Sequence, residues 1–348
     1  MKKAVFIKEG QVAIQDAPMP EIIEQDDAVI RVVRTCVCGS DLWAYRGDDA
    51  KEAGSDNSGH EIIGIVEKVG AAINTVKAGD FVIAPFTHGC GHCAACRAGF
   101  EGGCQSHSAA TNFSNGYQAE YVRYTHADWS LVKIPGQPDD YSEGMLKSFL
   151  ALADVMPTGY HAARVANVKA GDTVAVVGDG AVGLCAVIAA KLRGAKRIII
   201  MSRHEDRQQL ALEFGATDVV AERGEEGIAK VLELTNGDGV DAALECVGTH
   251  LSTEMAIAIA RPGAVVGRVG VPHTGDINVG DYFMKNTIFA GGPASVTTYD
   301  KAVLLKAVLD GDINPGKVFT QTYKLSDIDQ AYKDMQERKT IKAMITID

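Results

Sequence analysis

The sequence lacks any apolar run long enough to span a bilayer. Its most hydrophobic segment is closed by Lys191 and Arg193, well short of the roughly 20 apolar residues that a transmembrane helix needs. The start, M-K-K-A-V-F-I-K-E-G, has only four apolar residues before Lys8, too few for the core of a secretory signal. A cytoplasmic location is therefore expected. Positive charge is also scarce. The net charge of -11 excludes nonspecific attraction to nucleic acid or to an acidic membrane, because both need clustered Lys and Arg. Internal repeats, low-complexity tracts and long linkers are absent too, which excludes a repeat array and leaves ordinary globular domains.

At 348 residues the chain is long enough for two domains, each with its own core. Eight cysteines in a chain expected to be cytosolic point to metal or catalysis rather than disulfides. The stretch around which the rest is organised is Val174 to Gly183, V-A-V-V-G-D-G-A-V-G. Four apolar residues suit a strand buried on both faces, Gly178, Gly180 and Gly183 form G-x-G-x-x-G, and Ala181 to Leu192 has the apolar character of a packed helix. Glycine lets the backbone approach a pyrophosphate. The free N–H groups around Gly178, Gly180, Ala181, Val182 and Gly183, with the helix dipole behind them, then stabilise its charge.

The fold class expected is α/β in two parts. Residues 1 to about 155 are β-rich: Ala4 to Ile7, Val12 to Ile14, Ala28 to Val33, Ile62 to Val69 and Phe81 to Ala84 are short β-branched runs separated by turn residues, a spacing that suggests a partly closed barrel. Beyond Pro157, strands near 174–177, 197–201, 218–220, 240–246, 264–269 and 287–290 alternate with helical segments, which predicts a doubly wound sheet with its ligand at the carboxyl ends of the strands. The tail carries a helix near Lys301 to Leu309 and a final strand, Ala343 to Ile347, and can fold back onto the first domain.

Cys90, Cys93, Cys96 and Cys104 form C-x2-C-x2-C-x7-C, four thiolates that supply the closed tetrahedral sphere zinc prefers and leave no position for substrate. The rival is an iron–sulfur cluster, whose usual run places the fourth Cys sooner and follows it with Pro, whereas Gln105 follows Cys104 here. His88, His92 and His107 flank this lobe and are expected at the surface. Cys36, Cys185 and Cys246 lie in apolar runs and are expected to pack in cores. A second set is dispersed: Cys38 in C-V-C-G-S-D, His60 in G-H-E-I-I-G-I-V, and Asp154 in A-L-A-D-V-M-P-T-G-Y-H. One soft and two harder ligands are what an open catalytic zinc needs. Spacing alone equally allows a buried thiol, a turn histidine and a helix-start aspartate.

The C-G-S-D, G-H-E, four-cysteine, T-G-Y-H and G-D-G-A-V-G segments resemble, in order and approximate spacing over essentially the whole chain, the zinc-containing medium-chain alcohol dehydrogenases. The resemblance implies a GroES-like catalytic domain over 1–156 completed by 295–348, with a Rossmann domain over 157–294 inserted. It implies that Cys38, His60 and Asp154 are the catalytic zinc ligands, that Glu61 lies beside the metal and can enter its sphere, and that Asp41 orients the ligand histidine. By the same resemblance Ser40 receives the substrate's proton, although a serine there can equally cap the following helix. Many relatives place His where Trp43 stands. Indole cannot accept a proton, so the relay must leave by another route; Trp43 either walls the substrate pocket or simply packs.

The acid that would hydrogen-bond the adenosine ribose of NAD is replaced by Ser202, followed by Arg203. A missing carboxylate and an added guanidinium favour the 2′-phosphate of NADP; Ser202 as a helix cap beside a solvated Arg203 would leave NAD open. The resemblance further implies that Thr158 stands at the nicotinamide and that Lys342 reaches the pyrophosphate from the tail. The expected activity is hydride transfer between a small, secondary alcohol and NADP, or carbonyl reduction in reverse, with two zinc ions per chain. The alternatives are an NAD-linked polyol or amino-alcohol dehydrogenase of the same superfamily and a nonenzymatic NADP-binding redox sensor. A homodimer or homotetramer is implied by resemblance alone.

Overall fold

β-Branched residues broken by turn residues build the first part of the chain, as a computed structural model of the protein shows; it describes residues 1–55, 59–106, 116–272, 279–295 and 298–347. The chain divides into two compact units, residues 1–154 with 297–348 and residues 155–296.

In the first unit β1 (Lys2–Lys8) and β2 (Gln11–Asp16) form an antiparallel hairpin. The long strand β3 (Ala28–Val37) pairs antiparallel with β4 (Ile62–Val69) and β6 (Tyr121–Tyr124), and the sheet continues through β5 (Phe81–Ala84) to β7 (Val132–Lys133). Ile30, Ile62, Val82, Tyr117 and Tyr124 interdigitate in one core of this unit.

The second unit holds β8 (Thr173–Val177), β9 (Arg197–Met201), β10 (Asp218–Val220), β11 (Val240–Glu245), β12 (Ala260–Arg268) and β13 (Ile288–Gly291). All are parallel, in the order β10-β9-β8-β11-β12-β13. The chain reverses direction across the sheet between β8 and β11, the switch point at which such sheets bind ligands. The helix Ala181–Leu192 is apolar nearly all round because it is enclosed: Leu184, Cys185, Ala186, Val187, Ile188, Ala189 and Ala190 are all buried. The helix Val155–Val165 crosses it closely. A Cβ on Gly159 would stand 2.5 Å from the Ala186 nitrogen, which explains the glycine of T-G-Y-H.

The tail returns to the first unit. β14 (Phe319–Lys324) pairs parallel with β15 (Lys342–Thr346), which lies antiparallel to β3, and the helix Ile328–Gln336 buries Ile328, Ala331 and Tyr332 against Val37, Leu42 and Tyr45. The polar alternation of β14, F-T-Q-T-Y-K, concealed it from the sequence pattern. Among the described residues no helix is long and apolar enough to cross a membrane.

Two glycines of the turn after β8 have different reasons to be glycine. Gly178 has φ +114°, a backbone that L side chains rarely adopt, and a Cβ on Gly183 would lie 2.0 Å from the Gly178 carbonyl oxygen. Gly183→Ala must therefore move backbone, not a side chain. Overpacking of this kind costs about 1–3 kcal/mol. The variant is expected to melt at lower temperature and to lose dinucleotide binding in a fluorescence titration; wild-type binding would show that the turn tolerates the shift.

Candidate active site

β3 ends at Val37, and the next residue is Cys38. β4 begins at Ile62, immediately after His60 and Glu61. The antiparallel register pairs Thr35 with Ile62 and so carries the two loops to the same end of the sheet, where the Thr35 hydroxyl donates to the Glu61 carbonyl at 2.9 Å. Asp154 arrives from the turn after the helix Glu143–Ala151, with the Ala153 carbonyl accepting the Phe86 N–H at 3.0 Å. His60 Nε2 lies 3.4 Å from Asp154 Oδ2 and 3.7 Å from Glu61 Oε1, and Cys38 Sγ lies 3.5 Å from Asp154 Oδ2. One donor atom from each of the four lies within 4.8 Å of the others. His60, Glu61 and Asp154 are buried.

A thiol, an imidazole and two carboxylates gathered out of water suit a divalent metal, because burying that many anionic donors without a cation is costly. The spacing fits as well: ligands about 2.0–2.3 Å from a tetrahedral zinc stand about 3.3–3.8 Å from one another. Burial opposes the charged form of His60, but Cys38 and Asp154 outweigh it and raise its pKa well above the ordinary value, as a proton standing in for a cation would require.

Asp41 fastens the arrangement. Its Oδ2 accepts the Cys38 N–H at 2.8 Å, its Oδ1 accepts the Gly59 N–H at 3.2 Å, and Oδ1 stands 3.7 Å from His60 Nδ1. It thus ties the residue bearing the thiol to the residue preceding the histidine. Ser40 precedes the helix Asp41–Arg46 without a side-chain capping bond, so its hydroxyl is not held by the helix end. Trp43 is half-buried on that helix.

Lys342, expected to reach a pyrophosphate from the tail, stands beside Glu61. It is 1% exposed, with Nζ 2.7 Å from Glu61 Oε1 and 3.4 Å from the Val37 carbonyl oxygen. β15 delivers it beside β3, where its ammonium faces a buried carboxylate. Gln118 went unnoticed in the sequence: fully buried, it donates to the Cys36 carbonyl at 2.9 Å and to Asp41 Oδ2 at 3.4 Å, and accepts from the Tyr332 hydroxyl at 2.9 Å. No local pattern marks it, since its partners are distant in the chain.

In the second unit, Gly178, Gly180, Ala181, Val182 and Gly183 lie at the turn from β8 into the helix. Gly180 is its N-cap and offers no side-chain acceptor to the first N–H groups. A Cβ added to Gly180 meets nothing within 4 Å, so the room it would occupy is free for a ligand that approaches the backbone. Ser202, just beyond β9, is buried, Arg203 is exposed, and Thr158 is buried in the helix Val155–Val165.

Comparison with known proteins agrees with this architecture. An alcohol dehydrogenase GroES-like domain model matches residues 24–136 and a zinc-binding dehydrogenase model matches residues 181–300. An alcohol dehydrogenase of Cupriavidus necator is 31% identical over 95% of this chain and 94% of its own. The chain belongs to the zinc-dependent medium-chain alcohol dehydrogenases. An NADP-dependent isopropanol dehydrogenase of Clostridium beijerinckii is 31% identical over 72% of this chain and 70% of its own. The solved alcohol dehydrogenase from Thermus sp. ATN1 superposes on this dehydrogenase with a TM-score of 0.88 at 29% identity, covering both chains completely.

The cysteine lobe of this dehydrogenase is a second compact donor set. Cys90, Cys93, Cys96 and Cys104 also bring their sulfurs within 4.8 Å of one another, and all are free thiols. Cys93 caps the short helix Ala94–Arg97, its sulfur accepting the Cys96 N–H at 3.4 Å, while the Cys93 N–H donates to Cys90 Sγ and the Cys90 N–H to Cys104 Sγ, each at 3.4 Å. Burial opposes ionisation of Cys90, but hydrogen bonds from Ser106 and the His92 and Cys93 backbone overcome it and lower its pKa to about 5. Such N–H donors favour thiolates, the form that binds metal. Cys104→Ser is expected to weaken metal binding at this site by more than about 100-fold, the upper range for losing merely an outer partner, and to lower the melting temperature. Full metal content by elemental analysis would count against the lobe as a metal site.

His88 corrects the expectation of a surface residue. It is 1% exposed, stacked on Tyr124 with centroids 3.9 Å apart, and its Nε2 is 3.1 Å from the Tyr117 hydroxyl. Stacking on Tyr124 and hydrogen bonds to Tyr117 and Thr125 hold it. His92 is exposed, and His107 lies outside the described residues. Cys36 and Cys185 are buried in cores, whereas Cys246 is half-buried.

Proposed function

We propose that this dehydrogenase transfers a hydride between a small secondary alcohol and NADP, reducing the corresponding carbonyl in the reverse direction. The observation that carries the reading is the convergence of Cys38, His60 and Asp154 into one buried set with Glu61 beside it. These side chains would hold a catalytic zinc and the four lobe cysteines a second, structural one. Bound at the first site, zinc supplies Lewis acidity toward an alcohol oxygen, and the nicotinamide supplies the hydride acceptor.

The chain's own groups do the positioning and the proton handling. Asp41 fixes the imidazole and the thiol-bearing loop through Cys38 and Gly59, which presents Nε2 to the donor set. Ser40, free of a capping role, accepts the alcohol proton at Oγ while passing its own hydroxyl proton on to water or the cofactor ribose, since the Trp43 indole accepts no proton. In the second unit the Gly178–Gly183 turn receives the pyrophosphate, Thr158 contacts the nicotinamide, and Ser202 with Arg203 lines the adenosine 2′ position, where Arg203 supplies the charge for a 2′-phosphate. NADP is favoured by the absence of an acid at the end of β9 and by the likeness to the isopropanol dehydrogenase.

Initial rates on primary, secondary and polyhydric alcohols, each with NAD and NADP and on metal-quantified protein, test the reading. Fastest turnover is expected with a secondary alcohol and NADP, at about two zinc ions per chain. Preference for NAD would overturn the cofactor assignment and leave the chemistry, and dinucleotide binding without turnover of any alcohol would favour the nonenzymatic reading.

A further inference from the structure

The glycine turn contains an acid that the dinucleotide fingerprint does not require. Asp179 stands between Gly178 and Gly180, and its side chain ties the turn to the end of β9. Its Oδ2 accepts the Ser202 hydroxyl at 2.8 Å. Arg207, on the helix Glu205–Phe214, donates from Nη1 at 3.3 Å both to Asp179 Oδ1 and to the Asp179 carbonyl oxygen. Gln208 Nε2 holds the Ser202 carbonyl at 2.7 Å. The Asp179 and Arg207 side chains are only 14% and 13% exposed, so their charges meet with little solvent screening.

This network bears on the 2′ position of the adenosine ribose, which a doubly wound sheet reads with the residue ending its second strand. Here that residue is Ser202. A serine hydroxyl has a single proton, and Ser202 commits it to Asp179. Toward a 2′-phosphate Ser202 therefore presents lone pairs, with a carboxylate behind them. Toward an unphosphorylated ribose the same carboxylate is an acceptor for the 2′-hydroxyl. Charge favouring phosphate comes from Arg203, which is exposed, and from Arg207, which Asp179 already engages.

We propose that Asp179 is a specificity-determining residue for the adenosine 2′ position: its carboxylate favours the hydroxyl and opposes the phosphate, and Arg207 is the cation that must turn from it to admit a phosphate. The acid that sequence rules seek after the second strand is thus supplied by the glycine turn, and it limits how strongly NADP is preferred. The inference rests on reading that turn as the dinucleotide site.

Calorimetric titration of the full-length, metal-loaded protein with 5′-AMP and with 2′,5′-ADP tests it without requiring turnover. Asp179→Asn retains an acceptor for Ser202 and removes the charge. It is expected to shift the ratio of the two dissociation constants toward 2′,5′-ADP by about tenfold or more, as losing one nearby like charge in a partly screened site allows. Arg207→Gln is expected to shift the ratio the other way. An Asp179→Asn ratio within about twofold of wild type, or equal weakening of both ligands, would overturn the role of Asp179 and mark it as a turn anchor only. Failure of the wild type to bind either ligand would overturn the dinucleotide reading itself. A wild type that prefers 5′-AMP while Asp179→Asn still shifts the ratio would overturn the NADP assignment and uphold this one.

Discussion

Asp154→Ala is expected to lower kcat/KM for alcohol oxidation by about a thousandfold while the fold persists. The magnitude follows from the several kcal/mol that a metal contributes to stabilising developing charge, since each 1.36 kcal/mol is a factor of ten in rate. The Asp154 carboxylate is the shared neighbour of the other donors, 3.4 Å from His60 Nε2 and 3.5 Å from Cys38 Sγ. Its removal leaves a thiol and an imidazole that hold a divalent ion less tightly than three ligands do. Metal content should fall by about one equivalent per chain, the lobe keeping its own. Glu61 complicates the single variant. Its Oε1 already stands 3.7 Å from His60 Nε2 and can partly replace the lost ligand, so Asp154→Ala/Glu61→Gln is expected to lose more metal than Asp154→Ala. Wild-type turnover and metal content in Asp154→Ala would remove Asp154 from the site.

What the sequence disclosed depended on how far apart the interacting residues lie. The helix Ala181–Leu192 was legible to its ends because a glycine turn starts it, an apolar run sustains it and a basic segment follows it. The strands on either side were legible for the same local reasons, although β12 starts at Ala260 rather than near 264. The cysteine lobe is legible because closely spaced thiols in a Gly-rich loop have few ways to stay apart. Asp154 is not legible from pattern alone: 94 positions separate it from His60, and resemblance to a family had to join them. Long-range polar contacts were lost altogether. Gln118 meets Tyr332 across 214 positions, and Lys342, read as a cofactor ligand, meets Glu61 across 281. Asp179 escaped because the acid expected to read the ribose is sought downstream of the glycines, not among them.

The Glu61–Lys342 contact carries the second large expected effect, this time on stability. Both side chains are almost wholly buried, and their charged atoms are 2.7 Å apart. A buried pair of this kind contributes little relative to an apolar replacement, but deleting one partner leaves the other charge without compensation, at about 3–5 kcal/mol. Lys342→Met is therefore expected to lower the melting temperature of the metal-free protein by about 10 °C, given about 2–4 °C per kcal/mol at this domain size. Glu61→Gln/Lys342→Met removes the stranded carboxylate and should recover most of the loss, because the two sites are coupled and their effects do not add. The pair also decides between two roles for the lysine. A cation held only by Glu61 makes cofactor KM in the double variant equal to that in Glu61→Gln. One that also touches pyrophosphate raises KM further when Lys342 is replaced. An unchanged melting temperature in Lys342→Met would mean that Glu61 finds another buried partner, and a double variant no more stable than Lys342→Met would show that the lysine contributes chiefly through its packing against Phe319, whose ring centroid lies 5.8 Å from Nζ.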